Sequence, residues 1–175
     1  MMSYSHRMIV SSPLGNILVQ GNKTHIQYLK FTQADHNESE TSLLAHWAES
    51  CEQQLGQYFS GERRVFDLPI DPQGTEFQQR VWQALCQVDF GSYGSYQQLA
   101  LAIGNKNSVR AVATANARNP IWLIIPCHRI IGSDLALRGY AGGLVRKAQL
   151  LILEGLTIGC DDVRLANEKT KLVLT

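Results

Sequence analysis

The chain has 175 residues, 45% of them hydrophobic, a composition that fits one compact domain or two small lobes that share a core. No unbroken apolar stretch approaches the roughly 20 residues of a membrane span, and the four cysteines contain no C-x-x-C pair, which argues against a disulfide framework and a tetrahedral zinc site. The net charge is only +1, but residues 91–150 carry seven basic residues and one acidic residue.

This charge asymmetry has two interpretations. A lobe that binds a polyanion would concentrate basic residues in this way, and so would a solvated basic face. From the lack of a long apolar segment and of cysteine pairs we expect a cytoplasmic protein with reduced thiols and no metal site.

The first part of the chain predicts a small antiparallel sheet. Three strand-like runs alternate with two turn-like segments, a pattern that indicates a hairpin or meander. The runs are 8–12, 16–20 and 25–31, and the turns are 13–16 and 21–24.

A helix follows the sheet in this prediction. Apolar residues recur every three or four positions over 41–59, which is typical of an amphipathic helix that ends near Gly61 and packs Cys51 in the core. Residues 65–70 then predict another strand, and 71–74 predict a turn at a lobe boundary.

Two capping-box sequences mark helix starts in the second part. Thr75 with Gln78 opens a helix in which Cys86 is expected to be structural, and Ser95 with Gln98 opens a shorter helix through Ile103.

A polar turn at 104–107 and a further helix at 108–118 follow the shorter helix, so the pair is a helix-turn-helix candidate. The later helix carries small residues beside the basic Arg110 and Arg118, so it could lie close to a phosphate-lined groove. Small residues also occur where one helix packs closely on another, and the sequence leaves both possibilities open.

The run IIPCHRII places a thiol and an imidazole inside an apolar stretch. Pro126 has no amide proton to give a neighbouring strand, so we expect the chain to leave a sheet or core here, with Cys127 at a mouth. A helix over 144–153 should end at Gly155, which places the Glu154 carboxylate at the unfavourable end of the helix dipole.

Glu154 in that position needs a compensating cation, for which His128 and Arg129 are the natural candidates. With Cys127 they supply a thiol, a base and an orienting carboxylate, the groups that activate a cysteine nucleophile. A buried thiol beside a satisfied histidine is the structural alternative.

The runs NPIWLIIPCHRII, RGYAGG and LLILEG resemble the active-site segment of the 6-O-alkylguanine-DNA alkyltransferases, also called methylated-DNA–protein-cysteine methyltransferases. The resemblance extends upstream through TEFQQRVWQAL, SYQQLALAIGN and VRAVATANARNP. It covers about 73–156, and SPLGNILV with the strand-then-helix pattern resembles the variable α/β lobe of the family more loosely.

The resemblance implies an α/β fold of the α+β type. A small antiparallel sheet with a helix would form the N-terminal lobe, 1–72. A mainly helical lobe with the helix-turn-helix and the active-site loop would form the DNA-binding and alkyl-acceptor domain, 73–160. Residues 161–175 would be a tail.

The resemblance also implies roles for the residues around the thiol. Cys127 would be the alkyl acceptor, His128 its base through a water molecule, and Glu154 the residue that orients the histidine. Asn119 would bridge the recognition helix to the active-site strand, and Tyr96 would contact the phosphate backbone and donate to the flipped guanine.

Further residues would contact DNA or line the pocket by the same resemblance. Arg110 would enter the base stack and fill the gap left by the extruded nucleotide. The other expected DNA contacts are Ser95, Ala111, Thr114 and Arg118. The pocket would be lined by Trp122, Tyr140, Ala141 and Gly142. Trp122 takes a strand position at which the family more often carries a small residue or proline.

A member of this family would flip a 6-O-alkylguanine, and also a 4-O-methylthymine, out of double-stranded DNA and transfer the alkyl group irreversibly to Cys127. The protein would act once, as a monomer, with no cofactor, no membrane and no obligate protein partner.

Two further functions use the same residues. A non-catalytic sensor would bind alkylated bases without transfer, against which Cys127 argues, and a cysteine hydrolase would act on a peptide or ester, against which the helix-turn-helix with Arg110 argues.

Overall fold

A computed structural model describes residues 4–34, 45–159 and 164–165. The described chain forms two compact units. The first contains the residues up to Gln73 together with Pro120–Trp122, and the second contains Gly74–Asn119 and the residues from Leu123 onward. No helix in these ranges is long and apolar enough to cross a bilayer.

The first unit is built on a three-stranded antiparallel meander, which confirms the predicted sheet. Its strands are β1 (His6–Val10), β2 (Ile17–Gly21) and β3 (Ile26–Phe31). The strand order is β1-β2-β3, with Val19 between Met8 and Leu29. Ile17 and Val19 alternate with more exposed neighbours, because successive side chains of a strand point to opposite faces.

The helix that follows the sheet is α1 (Ala48–Phe59), and residues 41–44 of the predicted helix lie outside the described residues. Its buried stripe includes Cys51 and Leu55, so the predicted core position of Cys51 is confirmed. Burial raises the pKa of the Cys51 thiol to about 12, which makes it unreactive at neutral pH.

The strand predicted at 65–70 is wrong. The Gln54 side chain binds the backbone of Asp67, accepting from its N–H and donating to its carbonyl, each at 2.8 Å, and so takes the place of a neighbouring strand. Only Ile70 pairs, with Ile26. The turn predicted at 71–74 is also wrong, because these residues form no turn and the Asp71 N–H donates to the Ile26 carbonyl instead.

The second unit begins at the first of the two predicted capping boxes, and both are confirmed. Its helices are α2 (Glu76–Leu85), α3 (Tyr96–Ala102), α4 (Val109–Ala117) and α5 (Leu144–Leu153). Thr75 caps α2 and Ser95 caps α3, each side-chain oxygen accepting from the third helical N–H. Cys86, expected to be structural, is exposed at the C-cap of α2, where the side chain has already left the apolar stripe.

Helices α3 and α4 are joined by a turn that contains Gly104 at φ +76°, in agreement with the predicted helix-turn-helix. The buried side of α4 includes Val112, Ala115 and Asn116. The indole of Trp82 on α2 donates to the Ala115 carbonyl at 3.0 Å and fixes α4 against α2.

A short parallel pair brings the cysteine segment beside the start of α3. Strand β4 (Gly94–Ser95) pairs with β5 (Ile130–Ile131). An apolar cluster that includes Ile131, Leu137 and Leu151 packs beneath it. After α5, β6 (Ile158–Gly159) pairs antiparallel with β7 (Arg164–Leu165).

Candidate active site

The segment before Cys127 is not a strand. Only Ile121 pairs, with Leu29, and the chain turns through 122–124, where Leu123 has φ +69°. The strand position expected for Trp122 is therefore wrong, because a residue with positive φ and the missing N–H of Pro126 prevent a regular ladder.

Cys127 begins a single 3-10 turn, Cys127–Arg129, and its N–H donates to the Ile125 carbonyl at 2.8 Å. Cys127 therefore lies in a turn rather than within a strand, as expected, and it is only 2% exposed. A thiol in this position is shielded from solvent.

The carboxylate of Glu154 binds both predicted partners. Nε2 of His128 donates to Oε1 at 2.8 Å, and Nε of Arg129 donates to Oε2 at 2.8 Å. Nη2 of Arg129 donates to Oε1 at 3.0 Å, and Nη1 donates to the Val88 carbonyl at 2.6 Å. The predicted compensation of a buried carboxylate at the end of α5 is confirmed.

This network fixes the protonation states of its members. Burial raises the pKa of Glu154, but the charges and hydrogen bonds of His128 and Arg129 outweigh it and lower the pKa to about 2. Burial lowers the pKa of His128, and this exceeds the opposite effect of Glu154. At neutral pH the carboxylate is therefore ionised and the imidazole is neutral.

The neutral imidazole has a defined tautomer. A carboxylate only accepts hydrogen bonds, so Nε2 of His128 carries the proton and Nδ1 carries the lone pair. Nδ1 is buried and has no hydrogen-bond partner within the described residues. It can therefore accept a proton from a neighbouring group.

Asn119 lies two residues beyond α4 and is fully buried. Its Nδ2 donates to the Ile125 carbonyl at 2.8 Å, the same oxygen that accepts from the Cys127 N–H. One side-chain amide thus ties the end of α4 to the backbone that positions Cys127.

Tyr96 is the first residue of α3, and its hydroxyl donates to the carbonyls of Arg138 and Gly139 at 3.3 and 3.4 Å. Gly139 has φ +55°, and a Cβ there would lie 2.9 Å from the Tyr96 hydroxyl, so glycine is required. Burial raises the pKa of Tyr96, and a negative charge on Cys127 raises it further, so the phenol keeps its proton.

The loop between β5 and α5 contains three of the expected pocket residues. Tyr140 is buried, Gly142 is half-buried and Ala141 is exposed. The Gly142 carbonyl accepts from Nη1 of Arg146 at 3.2 Å. Burial raises the pKa of Tyr140 well above its ordinary value, and the Cys127 charge raises it further.

The residues expected to contact DNA lie on α4 and at the start of α3. Arg110, Ala111, Thr114 and Arg118 are exposed along α4. The Ser95 hydroxyl accepts from the Gln98 N–H at 3.1 Å, so its oxygen already serves as a helix cap.

Trp122 belongs to the first unit, unlike the other expected pocket residues. Its ring centroid lies 6.1 Å from that of Phe31, and Nζ of Lys30 lies 5.3 Å from it. Its predicted place in the pocket stays a prediction.

Sequence reasoning missed Lys147, which is fully buried on α5. Its Nζ donates to the carbonyls of Ile130 and Arg138. A signal existed, because Lys147 precedes Leu151 and Glu154 by four and seven residues and therefore shares their buried helix face.

No group of three or more His, Cys, Asp or Glu side chains in the described ranges could hold a metal ion.

Two protein-family models match the chain. Residues 76–156 match the DNA binding domain of 6-O-methylguanine DNA methyltransferase, and residues 6–72 match its ribonuclease-like domain.

Curated relatives and solved structures agree with this match. A methylated-DNA–protein-cysteine methyltransferase of Methanosarcina barkeri is 44% identical over 152 residues, which cover 83% of this chain and 94% of the relative. The Mycobacterium bovis protein of the same name is 39% identical over 85% of this chain and 92% of its own. The structure of Mycobacterium tuberculosis OGT in complex with DNA has a TM-score of 0.78 at 39% identity, covering 85% of this chain and 92% of that one.

Proposed function

The chain belongs to the 6-O-methylguanine DNA methyltransferase family, and we propose that it repairs DNA by moving the alkyl group of a 6-O-alkylguanine, and also of 4-O-methylthymine, onto Cys127. The observation that carries this proposal is the buried Glu154–His128 pair, which leaves the Nδ1 lone pair of the residue next to Cys127 as a proton acceptor.

The reaction starts with removal of the Cys127 proton. A free thiol is mostly protonated at neutral pH, so it needs a base to become a nucleophile. Nδ1 of His128 takes the proton through a water molecule, and the imidazolium that forms is stabilised by Glu154 at 2.8 Å. Arg129 holds the carboxylate from its other side, which keeps the histidine oriented.

Alkyl transfer is an in-line displacement. The thiolate forms a bond to the alkyl carbon, and the bond between that carbon and the guanine oxygen breaks, with its electron pair staying on the oxygen. The guanine leaves with a negative charge, and the proton that His128 took from the thiol neutralises it. A hydrogen bond from the Tyr96 hydroxyl stabilises this charge as it develops.

The target atom lies inside the duplex stack, so the nucleotide must be flipped out at a cost of a few kcal/mol. The exposed face of α4 supports this step. Small residues such as Ala111 allow close approach to a groove, and Arg110 can take the place of the extruded base.

The product is a thioether that water does not hydrolyse. Cys86, the other described cysteine of the second unit, is exposed at the C-cap of α2. Because water does not remove the alkyl group, the protein acts once. We propose that it does so as a monomer that needs neither a cofactor nor a protein partner.

Repair stoichiometry tests this function. Duplex DNA with a single 6-O-methylguanine is mixed with increasing protein, and the guanine restored is measured by chromatography of the nucleosides. We expect one guanine restored for each protein molecule, no restoration by Cys127→Ala, and full restoration by Cys86→Ala as the matched control. Multiple turnover, or transfer by Cys127→Ala, would contradict the proposal.

A further inference from the structure

Lys147 is a buried cation without an acidic partner. Its side chain is fully buried, and no carboxylate in the described part of the chain forms an ion pair with it. Within the described residues, its ammonium group donates to the carbonyls of Ile130 and Arg138 alone. Burying a charge without a counter-charge is costly, so its retention needs an explanation.

Backbone hydrogen bonds connect Lys147 to the turn that carries Cys127. The Ile130 carbonyl accepts from Nζ of Lys147, and the Ile130 N–H donates to the Cys127 carbonyl. A single peptide residue therefore connects the lysine to the turn that carries the thiol. The second acceptor, the Arg138 carbonyl, also accepts from the Tyr96 hydroxyl.

The charges around Cys127 leave one positive charge over. Glu154 is matched by Arg129, and His128 is neutral because burial lowers its pKa. Tyr96 and Tyr140 keep their protons, because burial raises the pKa of both. When the proton of the Cys127 thiol passes to His128, the new imidazolium faces the Glu154 carboxylate, and the thiolate is the negative charge that remains for Lys147.

The electrostatics of Lys147 agree with this pairing. Burial lowers the pKa of Lys147 to about 8, and a negative charge on Cys127 acts in the opposite direction. The coupling is mutual: if the thiolate of Cys127 stabilises the charged form of Lys147, the ammonium group stabilises the thiolate by the same free energy.

We propose that Lys147 is a positioning residue whose ammonium group stabilises the thiolate of Cys127. Its three protons stay on the nitrogen throughout, and the proton lost from the thiol goes to Nδ1 of His128. That this thiolate then accepts an alkyl group from DNA rests on the proposed function, whereas the pairing of the two charges does not.

The test measures the thiol itself, with no DNA present. Cys127 is alkylated with iodoacetamide across a range of pH in a Cys86→Ser background, and peptide mapping identifies the modified cysteine. In Lys147→Met we expect the pH midpoint of alkylation to rise and the rate at pH 7 to fall on the order of tenfold, the size of effect that a neighbouring charge has on a thiol. Lys106→Met, which removes a cation from an exposed turn of the same unit, should change neither value.

A purely structural role predicts a different result. A lysine that only ties two carbonyls would lower the melting temperature when replaced but leave the pH midpoint in place, and that outcome would overturn the proposal. Because the assay contains no DNA, its failure would leave the repair function standing, and a failure of repair would leave the thiol titration unaffected.

A second measurement covers the case in which Lys147→Met does not fold. The ammonium group of Lys147 is titrated by nitrogen NMR in the unmutated protein before and after Cys127 has been capped with iodoacetamide. Capping removes the thiolate, so the titration of Lys147 should move to lower pH. An unchanged titration would overturn the proposal.

Discussion

The cluster around Cys127 and the outer face of α4 use charge in opposite ways. In the cluster, His128 and Glu154 are almost completely buried and joined at 2.8 Å, and each charge has a fixed position. On α4, Arg110 and Arg118 are exposed beside small residues. Chemistry at a thiol needs fixed protonation states, whereas binding a phosphate backbone needs accessible cations that solvent can reach.

Removing the thiol should have the largest effect, because it should abolish alkyl transfer and leave DNA binding unchanged. We expect Cys127→Ala to accept no alkyl group while binding duplex DNA as the unmutated protein does, because α4 does not depend on that side chain. Mass spectrometry and fluorescence anisotropy on the same DNA measure both properties. Transfer by this variant would show that another residue is the acceptor.

Removing the charge of Glu154 should slow alkyl transfer and leave DNA binding unchanged. In Glu154→Gln the imidazole loses its orienting charge, so we expect the transfer rate to fall on the order of a hundredfold, as for the loss of general-base assistance. Arg129 is left buried without its partner, which should cost about 3 kcal/mol of unfolding free energy. Glu76→Gln, an exposed carboxylate at the start of α2, is the control and should change neither quantity.

Acid should weaken the cluster before it affects α4. The pKa of Glu154 is about 2 in the folded protein against an ordinary 4.5, so the stability it contributes is present above 4.5 and is lost as the pH falls toward 2, in total about 3 kcal/mol. The pKa of His128 is also lowered, so the unfolded chain takes up a proton more readily and stability begins to fall below about 6.5.

Urea unfolding measured at several pH values tests this assignment. The unmutated protein should lose stability steadily as the pH falls, and Glu154→Gln should show a flatter dependence between 4.5 and 2. Equal slopes for the two proteins would contradict the role given to Glu154.

The smallest effect is expected on α4. Arg110→Ala should weaken binding to duplex DNA by roughly tenfold and reduce the dependence of affinity on salt, because one cation fewer meets the DNA. The alkylation of Cys127 by iodoacetamide should stay unchanged. Lys23→Ala, an exposed cation of the first unit, serves as the matched control for net charge.

The sequence was sufficient to predict features that depend on residues close together in the chain. The Thr75 and Ser95 caps depend on a side chain and a backbone amide three residues away, so their spacing predicted both helix starts. The partners of Glu154 were predictable for a related reason, because a buried carboxylate at a helix end requires a cation and the chain offers few.

Contacts between residues that are distant in the sequence were not predictable. The strand expected at 65–70 does not form, because the Gln54 side chain on α1 binds the backbone N–H and carbonyl of Asp67. These groups would otherwise pair with a neighbouring strand. Lys147 was missed because a lysine on a helix normally faces solvent. Its spacing from Leu151 and Glu154 indicated the buried face, but its bond to the Ile130 carbonyl depends on the fold.

The intact mass of the protein after reaction reports directly whether Cys127 accepts the alkyl group. The protein is mixed with an excess of duplex DNA that carries 6-O-methylguanine, and its mass and peptide map are measured once the reaction has stopped. We expect every molecule to gain the mass of one CH₂ group, and the gain to lie on the Cys127 peptide. DNA binding with no change in mass, or a methyl group on any other residue, would contradict it.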